Sequence, residues 1–72
     1  MVYLPVKTVH RCMKEDGAHR VSDDASEELA IFLRHLIREI TRSSMEAASL
    51  SNRTTIQTKD IKFAIRHLGM GY

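Results

Sequence analysis

The sequence has few of the residues that cross-link small secreted domains, and it has no membrane-spanning run. Cys12 is the only cysteine in 72 residues, so no disulfide can form within the chain and a reducing compartment is indicated. No apolar stretch is long enough to cross a bilayer. Residues 1–5 also lack the basic start and long apolar segment of a secretory signal. We therefore expect a cytoplasmic protein without a membrane partner.

Motifs for catalysis and for metal binding are also missing. There is no Gly-rich phosphate loop, no nucleophile elbow and no carboxylate pair that would face a cleft. The stretch His10-Arg11-Cys12 does not have the spacing of a zinc site, and there is no second cysteine. We expect no enzyme, no cofactor and no metal. We then expect the histidines to lie on the surface. We expect Cys12 to be a small buried apolar residue, and Met13 and Met45 to fill the core.

The charge balance is only weakly basic. Eleven Lys/Arg against nine Asp/Glu give a formal net charge of +2. Such an excess permits a polyanionic partner but does not require one, so the positions of the cations have to decide.

Two helices are predicted in the first fifty residues. The first runs from about Pro5 to Glu15, because proline suits the first helical turn, and Gly17 can end it. The second covers residues 23–50, where no Gly or Pro interrupts the chain. Ser22 is a good N-cap for it.

A third, short helix is predicted over residues 59–68, with Thr58 as its N-cap. Gly69 can end this helix, and residues 69–72 should form a loose tail. The polar segment between the second and third helices, around Thr54–Gln57, has a short extended pattern. It is too short to form a sheet alone and needs another strand to pair with.

The long central helix is the reason to expect a dimer. At 1.5 Å per residue it would be about 42 Å long, whereas a compact 72-residue globule is only about 30 Å across. Two short helices cannot cover its apolar stripe, and each large side chain contributes roughly 1.5–3 kcal/mol when buried. We predict that two chains cross their long helices near the middle and bury this dimer core. The core residues are Leu29, Phe32, Leu33, Leu36, Ile37 and Ile40.

The residue pattern resembles a known family over nearly the whole chain. The stretches "LPVKTVHRCMKEDGAHRVSDDA" and "RTTIQTKDIKFAIRHL" are similar to the start and end of archaeal histones. The final stretch also resembles histone-fold subunits of eukaryotic CCAAT-binding factors. The resemblance implies an all-α histone fold, a single domain over residues 1–72, and an intertwined head-to-tail dimer. In that dimer the loop between the second and third helices pairs with the first loop of the other chain.

The resemblance also implies a DNA-binding surface built from the paired loops and the end of the first helix. Arg20 would be the arginine inserted into an inward-facing minor groove. The further candidates for contact with phosphate are Arg11, Lys14, Arg53, Thr54 and Thr55. The alternatives are ordinary: a solvated loop arginine for Arg20, a solvated helix face for Lys14, and β-branched residues that simply suit a short strand for the two threonines.

Arg53 is more strongly implied as a structural residue, because Asp60 stands at the position of the family's loop-to-helix ion pair. Three cations on the long helix, Arg34, Arg38 and Arg42, are spaced four residues apart and resemble a basic stripe. Because Glu39 and Glu46 lie one turn from Arg42, local ion pairs are the default interpretation, and contact with DNA is the alternative.

Two departures from the family pattern affect the expected assembly. Archaeal histones usually carry lysines where this chain has Thr54 and Gln57, so we predict weaker DNA association than in a typical relative. The family's contact between dimers would involve Ala47, Leu50 and Asp60, and a histidine is common where Leu50 stands. The sequence therefore does not decide whether dimers assemble into tetramers or higher stacks on DNA.

Two functions follow from this pattern. The leading hypothesis is a nucleoid-associated architectural protein, a homodimer that wraps and compacts double-stranded DNA largely without sequence preference. The alternative is a histone-fold dimerisation subunit that forms a heterodimer with another histone-fold chain in a transcription or chromatin complex and has weak DNA binding of its own.

Overall fold

Three helices make up the regular structure of residues 5–70, in the order short, long, short. The computed structural model describes residues 5–70, and no strand occurs among them. Helix α1 is Val6–Glu15, helix α2 is Asp23–Leu50 and helix α3 is Thr58–His67. The predicted all-α class and the order of helix lengths are confirmed. The loose tail predicted for residues 69–72 lies partly outside the described residues, as does the start of the chain.

The described residues divide into two compact units within which the helices pack. The amino-terminal unit, residues 5–36, contains α1 and the first half of α2. The carboxy-terminal unit, residues 37–70, contains the second half of α2 and α3. The organisation of residues 1–72 as a single domain stays a prediction.

The interior of the amino-terminal unit is built from small side chains. Val9 on α1 and Ala30 on α2 are buried, and Ser26, one turn before Ala30, is completely buried. The hydroxyl of Ser26 lies 3.2 Å from Nδ1 of His10, which ties α1 to α2. Small residues four apart on one face of α2 allow the backbone of α1 to approach closely.

The carboxy-terminal unit repeats this arrangement with a different flanking helix. Ser44 and Ala48, again four residues apart on α2, are buried together with Ala64 of α3. The hydroxyl of Ser44 donates to the backbone carbonyl of Asp60, although the distance of 3.5 Å makes this a long contact. Asp60 itself is only 3% exposed.

The starts of the helices differ from the sequence predictions in two places. Pro5 precedes α1 in an extended conformation, and its carbonyl accepts the first helical hydrogen bonds. Ser22 caps α2 by accepting a 3.1 Å hydrogen bond from the backbone N–H of Ala25. The prediction that Thr58 caps α3 was wrong. Gln57 is the N-cap, because the carboxylate of Asp60 reaches back to its backbone N–H at 2.7 Å and extends the helix by one residue.

All three helices end in the same hydrogen-bonded turn, with a left-handed residue just after the cap. Gly17 and Gly69 have φ of 109° and 78° at the ends of α1 and α3. Asn52 takes this position after α2, with φ of 57°. Its backbone N–H donates to the carbonyl of Ser49, and the backbone N–H of Arg53 donates to the carbonyl of Ala48. This pair of bonds is the Schellman pattern, which satisfies carbonyls that the helix leaves unpaired.

Several expectations about burial were wrong for this chain. Cys12 is exposed because the covered face of α1 contains Val9, which is buried, and Met13, which is partly buried. Cys12 lies roughly 80° around the helix from the centre of that face. Met45 is 54% exposed rather than a core filler. His10 is not a plain surface histidine, since it is partly buried against Ser26.

Candidate nucleic-acid interface

The first loop, residues 16–22, presents Arg20 to solvent. Arg20 is exposed, and no hydrogen bond or ion pair of its guanidinium occurs within residues 5–70. It lies two residues before Ser22, whose side chain fixes the start of α2. The loop therefore holds a cation at a defined place and leaves its donors available for an external acceptor.

The two cations of α1 are placed differently from each other. Arg11 is exposed on the helix surface. The ammonium group of Lys14 instead donates to the backbone carbonyl of His19, which bridges the end of α1 to the first loop. Lys14 thus supports the loop that carries Arg20, and its remaining donors still face solvent.

The second loop, residues 51–57, is fixed by a two-point ion pair between Arg53 and Asp60. Nη1 of Arg53 lies 2.9 Å from Oδ2 of Asp60, and Nη2 lies 3.2 Å from Oδ1. Nη1 also donates to the carbonyl of Thr55 at 3.1 Å. The Arg53 guanidinium is therefore occupied by contacts with Thr55 and with Asp60 of α3. Thr54 and Thr55 have exposed side chains.

The electrostatics of this pair follow from the same contacts. The hydrogen bond from Arg53 holds the pKa of the Asp60 carboxyl below its ordinary value of 3.8, and the backbone N–H of Gln57 lowers the pKa further. In return, the hydrogen bond to Asp60 raises the pKa of Arg53. Burial opposes both shifts without reversing them. Asp60 is therefore a carboxylate at neutral pH, with both oxygens bonded inside its own unit.

Comparison with known proteins gives these loops a context. The family of histone-like transcription factors (CBF/NF-Y) and archaeal histones matches residues 2–65. The chain belongs to this family. It is 38% identical over 66 residues to probable archaeal histone 3 of Methanocaldococcus jannaschii. It is 32% identical over 66 residues to a subunit of the archaeal histone HAN1 of Thermococcus zilligii. Each match covers 92% of this chain and 98% of the relative.

Membership identifies the three helices as a histone fold, which confirms the resemblance drawn from the sequence. Within residues 5–70, no group of His, Cys, Asp or Glu is arranged to hold a metal ion. Among the same residues, no helix is apolar over a length that could cross a bilayer.

The predicted dimer-core residues of this histone-fold chain are incompletely covered within each unit. In the amino-terminal unit Phe32 is 58% exposed, and in the carboxy-terminal unit Ile37 is 46% exposed. The other four core candidates are partly buried; they are Leu29, Leu33, Leu36 and Ile40. Large apolar side chains therefore remain accessible on α2.

The residues predicted for a contact between histone dimers do not share one environment. Leu50, at the end of α2, is 87% exposed. Ala47 is partly buried, and Asp60 is bonded to Arg53 and Gln57. Leu50 lines a shallow depression at the end of α2 together with Arg42 and Met45. Of the three candidates, only Leu50 presents a large free side chain.

Sequence reasoning missed some of the contacts that position this surface. It did not pair His10 with Ser26, and it did not identify Asn52 as the residue that turns the chain into the second loop. The small residues Ser26 and Ser44, each followed by alanine four positions later, were the available signal. Small residues four apart lie on one face of a helix, where they allow a second helix to approach closely.

Arg42 of α2 forms the local ion pair that was its default interpretation. Arg42 lies 3.8 Å from Glu39, one turn earlier, and both side chains are more than half exposed. A pair this exposed contributes little to stability.

Proposed function

We propose that the protein is an architectural DNA-binding protein of the archaeal-histone type, which dimerises and bends duplex DNA largely without sequence preference. The observation that carries this proposal is the family match over residues 2–65 together with an exposed, unpaired Arg20 on a braced loop. A guanidinium inserted into a narrowed minor groove favours bent DNA without reading base edges.

The contacts to DNA divide into two kinds of side chain. Arg11 and Arg20 supply charge to neutralise phosphates, with Lys14 as a brace that keeps spare donors. Thr54 and Thr55 supply neutral donors from the second loop. Affinity then comes mostly from phosphate neutralisation, and placement comes from the ease with which a DNA segment bends. Because the second loop offers only neutral donors, its share of the salt-dependent affinity is small.

A dimer provides the scaffold for this surface. The exposed Phe32 and Ile37 support burial of α2 against a second copy, since side chains of this size each contribute roughly 1.5–3 kcal/mol on burial. In the head-to-tail arrangement, the second loop of one chain lies beside the first loop of the other, so Thr55 and Arg20 of different copies serve one DNA segment. Such a protein would be associated with the chromosome in the cytoplasm.

The test is binding of the purified chain to random-sequence duplex at two salt concentrations, with Arg20→Ala compared with Arg38→Ala. Both variants lose one exposed cation, but only the first removes a residue assigned to DNA. We expect Arg20→Ala to weaken binding on every sequence and to reduce DNA bending measured by energy transfer, and Arg38→Ala to change neither. Equal behaviour of the two variants would remove the role given to Arg20, and no binding by the folded wild type would reject the function.

The alternative, a histone-fold chain that pairs with a different chain, is favoured by two observations. The Thermococcus zilligii relative is named as a subunit, and the second loop has Thr54 and Gln57 where archaeal histones usually have lysines. Light scattering of the purified chain separates the alternatives. A folded homodimer supports the leading proposal, whereas a chain that stays monomeric and largely unfolded until a second histone-fold protein is added supports the alternative.

A further inference from the structure

The net positive charge of the protein is confined to its carboxy-terminal half. Residues 1–36 hold five Lys/Arg and six Asp/Glu, although they include Arg11 and Arg20. Residues 37–72 hold six Lys/Arg and only three Asp/Glu. The cations assigned to DNA, Arg11, Lys14 and Arg20, therefore lie in the half of the chain that has no excess of positive charge.

Helix α3 carries the concentrated part of that excess. Lys59, Lys62 and Arg66 are exposed and are spaced three and four residues apart. At about 100° per residue they fall within an arc of roughly 60°, and they form a line about 10 Å long. We call this line the α3 ridge. It lies roughly 150° around the helix from Asp60 and Ala64, which face the interior of the unit.

No acidic side chain neutralises the outer part of the ridge. Asp60 is the only acidic residue after position 46, and its carboxylate is buried and bonded to Arg53. Among residues 5–70, neither Lys62 nor Arg66 has an ion-pair partner. Lys59 has one electrostatic neighbour, the same Asp60, whose pKa it helps to lower. Three cations on one side of a short helix repel one another unless an external anion lies against them.

We propose that the α3 ridge is a second DNA-binding surface, on which Lys59, Lys62 and Arg66 contact the phosphate backbone of duplex DNA. This inference rests on the proposed function. A duplex presents a negative charge about every 1.7 Å along its axis, so a line of cations about 10 Å long faces several phosphates at once. The ridge supplies charge-dependent affinity that Thr54 and Gln57 do not supply in the second loop.

The experiment measures how the binding constant for random-sequence duplex depends on salt, using two variants that lose the same charge from the same unit. The ridge variant is Lys62→Gln with Arg66→Gln, and the control variant is Arg38→Gln with Arg42→Gln. Both bring the formal net charge from +2 to zero, and all four positions are exposed. A third variant, Lys62→Arg with Arg66→Lys, keeps the charges and exchanges the side chains. Circular dichroism establishes that each variant is folded.

We expect the slope of log Kobs against log[salt] to become shallower in the ridge variant by roughly 1.8 for each protomer bound, from a contribution of about 0.9 for each phosphate contact. The control variant and the exchanged variant should keep the wild-type slope. Equal slopes in the ridge and control variants would overturn the ridge alone, because the effect would then belong to net charge or be absent. Absence of binding by the wild type would overturn the ridge and the proposed function together.

Discussion

The two compact units pack a short helix against α2 in the same way, but different contacts hold their loops. In each unit a buried serine on α2, followed by alanine four residues later, receives a short helix. The amino-terminal unit adds the contact between His10 and Ser26 and a lysine brace on its loop. The carboxy-terminal unit adds the two-point ion pair of Arg53 and Asp60. The two units therefore pack their helices in the same way, but the loop that carries Arg20 is held by a single lysine contact and the second loop by a charged pair.

The largest effect should come from breaking the ion pair that distinguishes the carboxy-terminal unit. Asp60→Asn keeps the size of the side chain, but it removes the charge that pairs with Arg53 and replaces one of the two accepting oxygens by a donating NH2 group. We expect the midpoint of thermal unfolding to fall further than in variants of Ala30 or Ala48, because the Arg53 guanidinium loses its charged partner. Glu39→Gln, which breaks the exposed pair with Arg42, is the matched control and should leave the midpoint nearly unchanged. Similar small changes in both would mean that the second loop is not locked by Asp60.

Acid should reproduce the effect of this substitution. Because the pKa of Asp60 is depressed in the folded state, its stabilisation is fully present above its ordinary value of 3.8 and is lost as the pH falls further. Unfolding midpoints measured from neutral pH downwards should converge for the wild type and Asp60→Asn once the pH is well below 3.8. A constant gap between the two proteins at low pH would contradict the assignment.

An intermediate loss of stability is expected when a larger side chain is placed where two helices pack closely, in either unit. Ala30 and Ala48 are 0% and 1% exposed, so a leucine at either position has no room. Ala30→Leu and Ala48→Leu should each lower the free energy of unfolding by about 1–3 kcal/mol, measured by denaturant titration. Ala25→Leu, at an exposed position on α2, is the control. If only one of the two alanines were sensitive, the packing equivalence of the units would be lost.

The smallest effect separates the two buried serines. Ser26→Ala removes a 3.2 Å contact with His10 and should cost about 1 kcal/mol of unfolding free energy. Ser44→Ala removes only a 3.5 Å contact with a backbone carbonyl and should cost less. Denaturant titration of both variants gives the comparison. A larger cost at Ser44 would reverse the order of hydrogen-bond strength assigned to the two units.

The fold was largely predictable from sequence, because its signals are local. Ser22 and the glycines at 17 and 69 mark helix ends through preferences of single residues. The cap of α3 was misplaced by one residue because the deciding contact, from Asp60 to the backbone N–H of Gln57, depends on a side chain three positions away. By residue preference alone, Thr58 is a better N-cap than Gln57.

The candidate site was less predictable, because its residues act through tertiary contacts. The Arg53–Asp60 contact came from family resemblance, and no spacing rule would have shown that Arg53 also binds the carbonyl of Thr55. The exposure of Cys12 and Met45 depends on which face of each helix is covered. The α3 ridge was visible in the sequence as a spacing of three and four. It gained significance only when Asp60 was found turned inward, away from those cations.

The small interior of each unit has a consequence for the life of a newly made chain. Buried alanine and serine remove little apolar surface from water, so an unpaired copy has little stabilisation of its own. Its exposed Phe32 and Ile37 would make it a substrate for quality-control proteases until a histone-fold partner covers them. We expect the cell to retain these chains only in matched pairs, which sets the abundance of the protein by assembly as well as by synthesis.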